Sequence, residues 1–325
     1  MYSSLRSSEI LHIYNSQRQT ENEKREKEKW RRHLERSIHQ TFPHLRLVLA
    51  GSTGCGFAVK GSDCDFTLVK QAFSASENGD SVLRQIKAIV ESEERNNLEI
   101  EFISTAVVPI LILNDTKRGL HGDISYGAKN TLYNTFLMRC YGEMDERVRP
   151  LVITIKTWAK NANIMNARYH KLSGFALVLL VLHYLQHGCS PPVLPSLHQR
   201  HQSFFNHQDP SRVADWLEQE YTPPFISNYE SANDNSVEVL FKGFFRYYST
   251  FNWSKVISVR TGGFIALPYT KKWTKPYIRI EDPSDLTNVT RAVYESYGFQ
   301  IIKQAIAAAN QKFGRGARVP DVVLI

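Results

Sequence analysis

Apolar and polar positions divide the chain into a front part of short alternating runs and a long helical remainder. Residues 5–40 predict helix in two pieces, the second running through "TENEKREKEKWRRHLERSIHQTF" from a cap at Thr20. Charges of both signs along that piece, with Glu26 and Lys29 among the pairing partners, predict a mostly solvated helix face. Short β-like runs follow. "LRLVLAG" and "DFTLVKQ" flank a Gly-rich connection, and a helix is expected over 80–95. Then come "LEIEFIS", "AVVPILILN" and "HGDISYG", the last two joined by the polar turn "DTKRG". Strands with one early and one intervening helix predict a small mixed sheet packed on helices.

From about residue 130 the period changes. Leu151, Val152, Ile155, Trp158, Ala159 and Ala162 recur at helical spacing. "LSGFALVLLVLHYLQHG" is apolar nearly all round, which predicts a helix central to a domain, with Gly188 as its stop signal. "DPSRVADWLEQE" and "VEVLFKGFFRYYSTF" predict further helices, and "SNYESANDNS" a loop. "VISVRTGG" and "PYIRIEDP" read as extended, followed by a last helix over "LTNVTRAVYESYGFQIIKQAIAAANQKF". The whole predicts an α+β, bilobal molecule: a lobe over 20–140 holding the sheet, and a mostly helical lobe over 141–325 joined by residues 1–19.

Composition adds little to that picture and charge adds something. Apolar residues make up 42% and charged residues 22%, ordinary globular usage, so neither a fibrous nor a disordered chain is indicated. The net charge of +8 favours a polyanionic partner without requiring one. Four cysteines without a CxxC pair suit a reducing compartment. The first residues carry no apolar leader, and the run 175–182 is too short to span a bilayer. The expected address is the cytosol or nucleus, with the cytoplasm preferred, and not a membrane.

Candidate chemistry centres on "LVLAGSTGCGFAVKGSDCDFTLVKQ". Asp63 and Asp65 are two apart in an extended run, so their carboxylates share a face while Cys64, Phe66 and Leu68 point into a core. Two like charges on one face repel, and a hard cation such as Mg²⁺ or Mn²⁺ removes that penalty. The same spacing also fits two ordinary surface acids. Gly51 and Ser52 end the preceding strand at a turn, where backbone N–H groups and a hydroxyl can meet phosphate oxygens. Asp123 adds a third carboxylate in the second run of a predicted hairpin. Three aspartates on neighbouring strands match a two-metal phosphoryl- or nucleotidyl-transfer site.

Gly-Ser, ten intervening residues, then Asp-hydrophobic-Asp-hydrophobic resembles the signature of the polymerase-β-like nucleotidyltransferases. Downstream, "NTLYNTFLMRCYGEMDERVRPLVITIKTWAKNANI", "KLSGFALVLLVLHYLQHGCSPPVLPSL" and "RIEDPSDLTNVTRAV" resemble, in this order, the terminal RNA nucleotidyltransferases. That group includes the cytoplasmic poly(A) polymerases and the terminal uridylyltransferases. The resemblance covers roughly residues 30–300. It implies that Asp63, Asp65 and Asp123 are catalytic metal ligands, that Gly51 and Ser52 contact the triphosphate, and that Asn134 and Thr135 lie near the ribose. It places Lys156 and Lys160 on the triphosphate; one turn apart, they share a helix flank. Read from the residues alone, a pair of solvated lysines is the simpler account. Phe175 stands where the family usually has a base-stacking Tyr, and its ring keeps the π-face that stacking needs. Gly174 stands where a second Ser is common, a contact Ser173 would have to supply in part. Asp282 and Asp285 fall on the loop that reads the base edge.

Uridine-preferring members carry a His just before the Asn of the "DP…NV.R" segment. Here Thr287 precedes Asn288 and the segment is one residue shorter, which points to ATP and to a likeness with germline cytoplasmic poly(A) polymerases. The resemblance thus implies adenylation of an mRNA 3′-OH. Uridylylation, or an inactive fold serving as an RNA-binding scaffold, are the other readings. A small-molecule nucleotidyltransferase would not account for the helical half or the "EDP…NV.R" segment. No RNP1-like, KH-like or zinc-knuckle segment is present, so RNA would be held by basic surface and the enzyme would depend on an RNA-binding partner protein. His183 and His187 are four apart on the apolar helix, but Tyr184 follows His183 where a metalloprotease needs Glu, and a packed histidine is expected.

Overall fold

A computed structural model describes residues 9–70, 78–93, 97–104, 108–206 and 208–324. The expected helix and strand residues at 5–8, 71, 94–95 and 106–107 lie outside the described residues. The chain divides into two compact units, one of residues 19–140 with 207–223, the other of 1–18, 141–206 and 224–325.

In the first unit, helix α2 (Glu21–His39; α1 is Glu9–Gln17 of the other unit) starts at a reciprocal cap. The Thr20 hydroxyl accepts from the Glu23 N–H at 3.1 Å, and the Glu23 carboxylate accepts from the Thr20 N–H at 2.7 Å. Strands β1 (Leu45–Ala50), β2 (Cys64–Lys70), β3 (Leu98–Ile103), β4 (Ile110–Asp115) and β5 (Leu120–Tyr126) form one sheet in the order β1-β2-β5-β4-β3. Only β2 and β5 run parallel within it; the remaining pairs are antiparallel. The short helix α3 (Gly51–Cys55) fills the β1–β2 connection, and α4 (Gly79–Glu93) precedes β3.

Alternation along the strands sends Leu45, Leu47, Cys64, Phe66, Leu68, Leu111, Leu113 and Ile124 into one core with Trp30, Leu34 and Ile38 of α2 and Val82, Leu83, Ile86 and Val90 of α4. The Trp30 indole meets the Phe66 ring edge-on at 5.4 Å. The helix Pro210–Glu218 packs on β1 and β2, where Arg46 pairs with Asp215 at 2.7 Å and Glu218 at 2.6 Å.

The solvated-helix expectation for α2 is half right. Glu26 and Lys29 do pair on the exposed side at 2.7 Å. Every fourth residue from Glu23, however, turns toward the sheet. Glu23 accepts from the Gly61 N–H, buried Lys27 and Arg31 follow, and Glu35 accepts from the Leu47 N–H. Arg31 donates to the Leu47 carbonyl at 2.7 Å and to Glu28 and Glu35 at 2.8 Å. A 3.6-residue helix carries such a stripe slowly round its axis, so charge alone did not reveal it.

In the second unit, α6 (Val148–Asn161) is central, with α1 packed along it and α7 (Gly174–His183) following; α5 (Lys129–Met144) starts in the first unit and its last turn belongs to the second. Trp158 meets Phe245 edge-on at 4.6 Å. His183 is a packed core residue: its Nδ1 lies 2.9 Å from the Tyr248 hydroxyl, and burial, then His187, lowers its pKa to about 3. The expected last helix is shorter than its sequence pattern. It spans Ser296–Gly314, because residues 286–293 are held in a bridge and turns: the Asn288 carboxamide accepts from the Ile280 and Thr290 N–H groups, and the Tyr277 N–H donates to the Val293 carbonyl. Among the described residues no helix is long and apolar enough to cross a membrane.

Candidate active site

Strand register builds the acidic part of the site. Asp65 of β2 stands directly opposite Asp123 of β5 on the parallel pair, and their side chains leave the sheet on the face away from α2. Asp63 lies one residue before β2. The row continues outward through Ile112 of β4 to Glu101 of β3. Ala50 pairs with Asp65 from the other side, so the chain leaves β1 at Gly51 immediately beside that carboxylate.

Gly51 has no room for a side chain. With φ at +59°, a Cβ there would lie 1.8 Å from the Asp65 Oδ2 and 2.8 Å from its Cβ. The Gly51 N–H donates to the Thr135 hydroxyl at 3.0 Å, and that hydroxyl donates to the Thr131 carbonyl at 2.6 Å. The expected free N–H at Gly51 is therefore taken. Thr135, expected near a ribose, is buried and braces the turn from α5, with Asn134 buried beside it in sequence. Ser52 is only half-buried.

Burial, with the charges of Asp65 and then Asp63, pushes the Asp123 carboxyl up to about 7. Among the described residues no group of three or more His, Cys, Asp or Glu side chains is arranged to hold a metal ion. The donor chemistry nevertheless fits a hard divalent cation: carboxylate oxygens only, two of them in register, beside a glycine whose missing Cβ leaves Asp65 in place.

A folded pKa above the ordinary 3.8 means that the folded chain holds the Asp123 proton longer than the unfolded chain does. This contribution to stability is present at low pH and is lost as pH rises toward about 7. A cation that binds the ionised form reverses the trend. Stabilisation by Mg²⁺, read as a melting-temperature shift, should be small at pH 5.5 and grow through pH 7.5. Equal shifts at both would contradict the assignment of Asp123 to the cation.

The remaining residues singled out from the sequence belong to the second unit. Lys156 is buried on α6, and a Cβ built on Gly174 would come within 4.0 Å of its Cε, so the start of α7 lies against this lysine. Lys160, one turn on, is exposed. Ser173 caps α7 by accepting from the Ala176 N–H at 3.1 Å, and Phe175 is half-buried. In the 282–288 loop the Asp282 carboxylate accepts from the Ser284 N–H at 2.8 Å. The exposed Asp285 accepts from the Thr287 N–H at 2.9 Å and from its hydroxyl at 2.6 Å. Leu286 between them sits at φ +61°, a strained setting for a branched side chain that concentrates at ligand-binding loops.

Lys27 is the functional-site neighbour that sequence reasoning missed. It is 2% exposed, and its ammonium reaches Thr53 of α3 and Ser62 and Asp63 before β2. Burial lowers its pKa, opposed by Cys64, Glu23, Asp65 and Asp63. Its four-residue spacing from Glu23 and Arg31 was the available signal.

Two family descriptions match the chain: the central palm domain of mitochondrial-like poly(A) RNA polymerase over residues 7–143, and the Cid1 family poly A polymerase over residues 236–288. The structure of the Cid1 poly(U) polymerase with MgGTP superposes with a TM-score of 0.79 at 28% identity, covering 97% of each chain. Along nearly its whole length the chain is similar to terminal RNA nucleotidyltransferases. Another structure of that group, a cytoplasmic RNA terminal U-transferase, superposes with a TM-score of 0.78 at 27% identity over 97% of this chain and 96% of the other. Among curated members, poly(A) RNA polymerase GLD2 of Mus musculus is 34% identical over 94% of this chain and 64% of its own length. GLD2 of Homo sapiens is 35% identical over 91% and 62%. The chain thus spans about three-fifths of the length of these terminal nucleotidyltransferases.

Proposed function

We propose that the protein is an RNA 3′-end adenylyltransferase, transferring AMP from ATP to the 3′-OH of mRNA with release of pyrophosphate. The observation that carries the chemistry is the in-register pair Asp65 and Asp123 beside the Gly51-Ser52 turn. Adenine as the base is supported by the poly(A) polymerases among its relatives at 34–35% identity and by Thr287 in place of the histidine of uridine-preferring members.

When bound, a divalent cation (Mg²⁺ or Mn²⁺) would activate the attacking hydroxyl and neutralise charge on the leaving pyrophosphate. Asp63, Asp65 and Asp123 are the residues that would hold it. Asp123, with the raised pKa, is the carboxylate suited to take the 3′-OH proton. Ser52 would meet the triphosphate from the β1–β2 turn, and Lys156 and Lys160 would neutralise it. Phe175 would stack on the base, with Asp282 and Asp285 facing its edge. RNA would be held by basic surface and delivered by an RNA-binding partner protein in the cytoplasm.

The test is extension of a 3′-OH RNA with each of the four NTPs, with Mg²⁺ or Mn²⁺. ATP should be incorporated in preference to the others. The Cid1 poly(U) polymerase likeness makes uridylylation the competing outcome, and preferential use of UTP would overturn the adenylation reading.

A further inference from the structure

Lys27 carries a charge that the chemistry above leaves unused, and the fold buries it with unusual partners. Burying an ammonium is costly unless its hydrogens are satisfied. Here they are satisfied chiefly by neutral oxygens rather than by a carboxylate. Lys27 Nζ donates to the Ser62 carbonyl at 2.5 Å, the Ser62 hydroxyl at 3.0 Å, the Thr53 hydroxyl at 3.2 Å and the Asp63 carbonyl at 3.3 Å. These acceptors come from two segments: Thr53 lies in α3, two residues after Gly51, and Ser62 and Asp63 lead into β2. Gln19 reaches the same Thr53 hydroxyl at 3.5 Å, and Glu23, one turn before Lys27, accepts from the Gly61 N–H at 2.9 Å. The first turns of α2 thus grip both ends of the loop between β1 and β2.

We propose that Lys27 is a positioning residue: it sets the Gly51–Thr53 turn against the Asp63 end of β2 and so fixes where the ATP triphosphate lies relative to the carboxylates. The inference rests on the nucleotidyl-transfer reading and deepens it. Lys27 touches no substrate. It acts through the turn, so its removal should be felt in ATP binding and turnover and not in RNA binding. Placement is expected to matter beyond charge, because four acceptors share the three N–H groups of one compact ammonium, a geometry that a planar guanidinium does not reproduce.

The experiment uses Lys27→Met, Lys27→Arg and Thr53→Val, the last removing only the hydroxyl that links the turn to the lysine. Three quantities are measured: KM for ATP and for RNA separately, equilibrium binding of a non-hydrolysable ATP analogue, and amide exchange of residues 51–56 in the free protein. For Thr53→Val we expect roughly tenfold weaker binding of the analogue, a matching rise in KM for ATP, an unchanged KM for RNA and faster exchange confined to 51–56. Both Lys27 variants should show the same pattern with a further fall in kcat. Wild-type kinetics in Lys27→Arg would show that charge alone suffices and overturn the proposal. So would loss of melting temperature in Thr53→Val with exchange at 51–56 and both KM values unchanged. If the wild type itself fails to bind the analogue, the nucleotidyl-transfer reading fails, while the exchange data still decide whether Lys27 orders the turn.

Discussion

Asp65→Ala should abolish tailing, lowering the rate of AMP addition by about a thousand-fold or more, roughly 4 kcal/mol of transition-state stabilisation. The size follows from position. Asp65 stands between Ala50 and Asp123 in the register, so its loss removes the carboxylate that joins the Gly51 turn to the β5 acid. The same substitution relieves repulsion, since after burial the charge of Asp65, ahead of that of Asp63, is what pushes the Asp123 carboxyl up to about 7. The cation-free variant should therefore melt no lower than wild type near neutral pH, and its stabilisation by Mg²⁺ should shrink. Tailing rates on a 3′-OH RNA, with melting curves taken with and without Mg²⁺, check both halves. Activity within tenfold of wild type would remove Asp65 from the chemistry.

Gly51→Ala should be nearly as damaging to activity although it leaves every carboxylate in place. The left-handed backbone at φ +59° costs an alanine about 1–2 kcal/mol. The new methyl also has to occupy space held by Asp65, with contacts of 1.8 Å to Oδ2, 2.4 Å to Cγ and 2.8 Å to Cβ. A terminal oxygen alone could swing aside; a clash reaching the Asp65 Cβ requires the turn or the strand to move. A fall in tailing of at least about a hundred-fold, with a lower melting temperature, is expected. The double variant Gly51→Ala/Asp65→Ala supplies the sharper reading. Because the clash is with the Asp65 side chain, the double variant should be more stable than Gly51→Ala alone and no less active than Asp65→Ala. Additive losses in both quantities would show that the two residues act independently.

These two residues also mark what could be read without a structure. That Asp65 points away from buried Cys64, Phe66 and Leu68 follows from alternation, a local pattern, whereas the register that sets Asp65 opposite Asp123 joins parallel strands distant along the chain and belongs to the fold. Thr20 marked the start of α2 because a cap needs only neighbours in sequence, and the structure adds Glu23 as the other half of a capping box. Residues 286–295 misled for the converse reason. Their pattern suits a helix, but the Asn288 side chain and bonds with residues 277–280 hold them in a bridge and turns. That partner is distant along the chain, and long-range pairing overrides propensity.

Residue type and spacing by themselves determined the elements, their inward faces and the acids that share a strand face, because each depends on a period of two or on a turn of helix. Only the tertiary structure decided that Lys27, one of many charges on a helix, is buried beneath the Gly51–Thr53 turn, and that the Thr135 hydroxyl takes the Gly51 N–H. Both contacts join residues 26 or more positions apart, and what selects them is the cost of leaving a buried polar group unpaired, which has meaning only once the chain has folded.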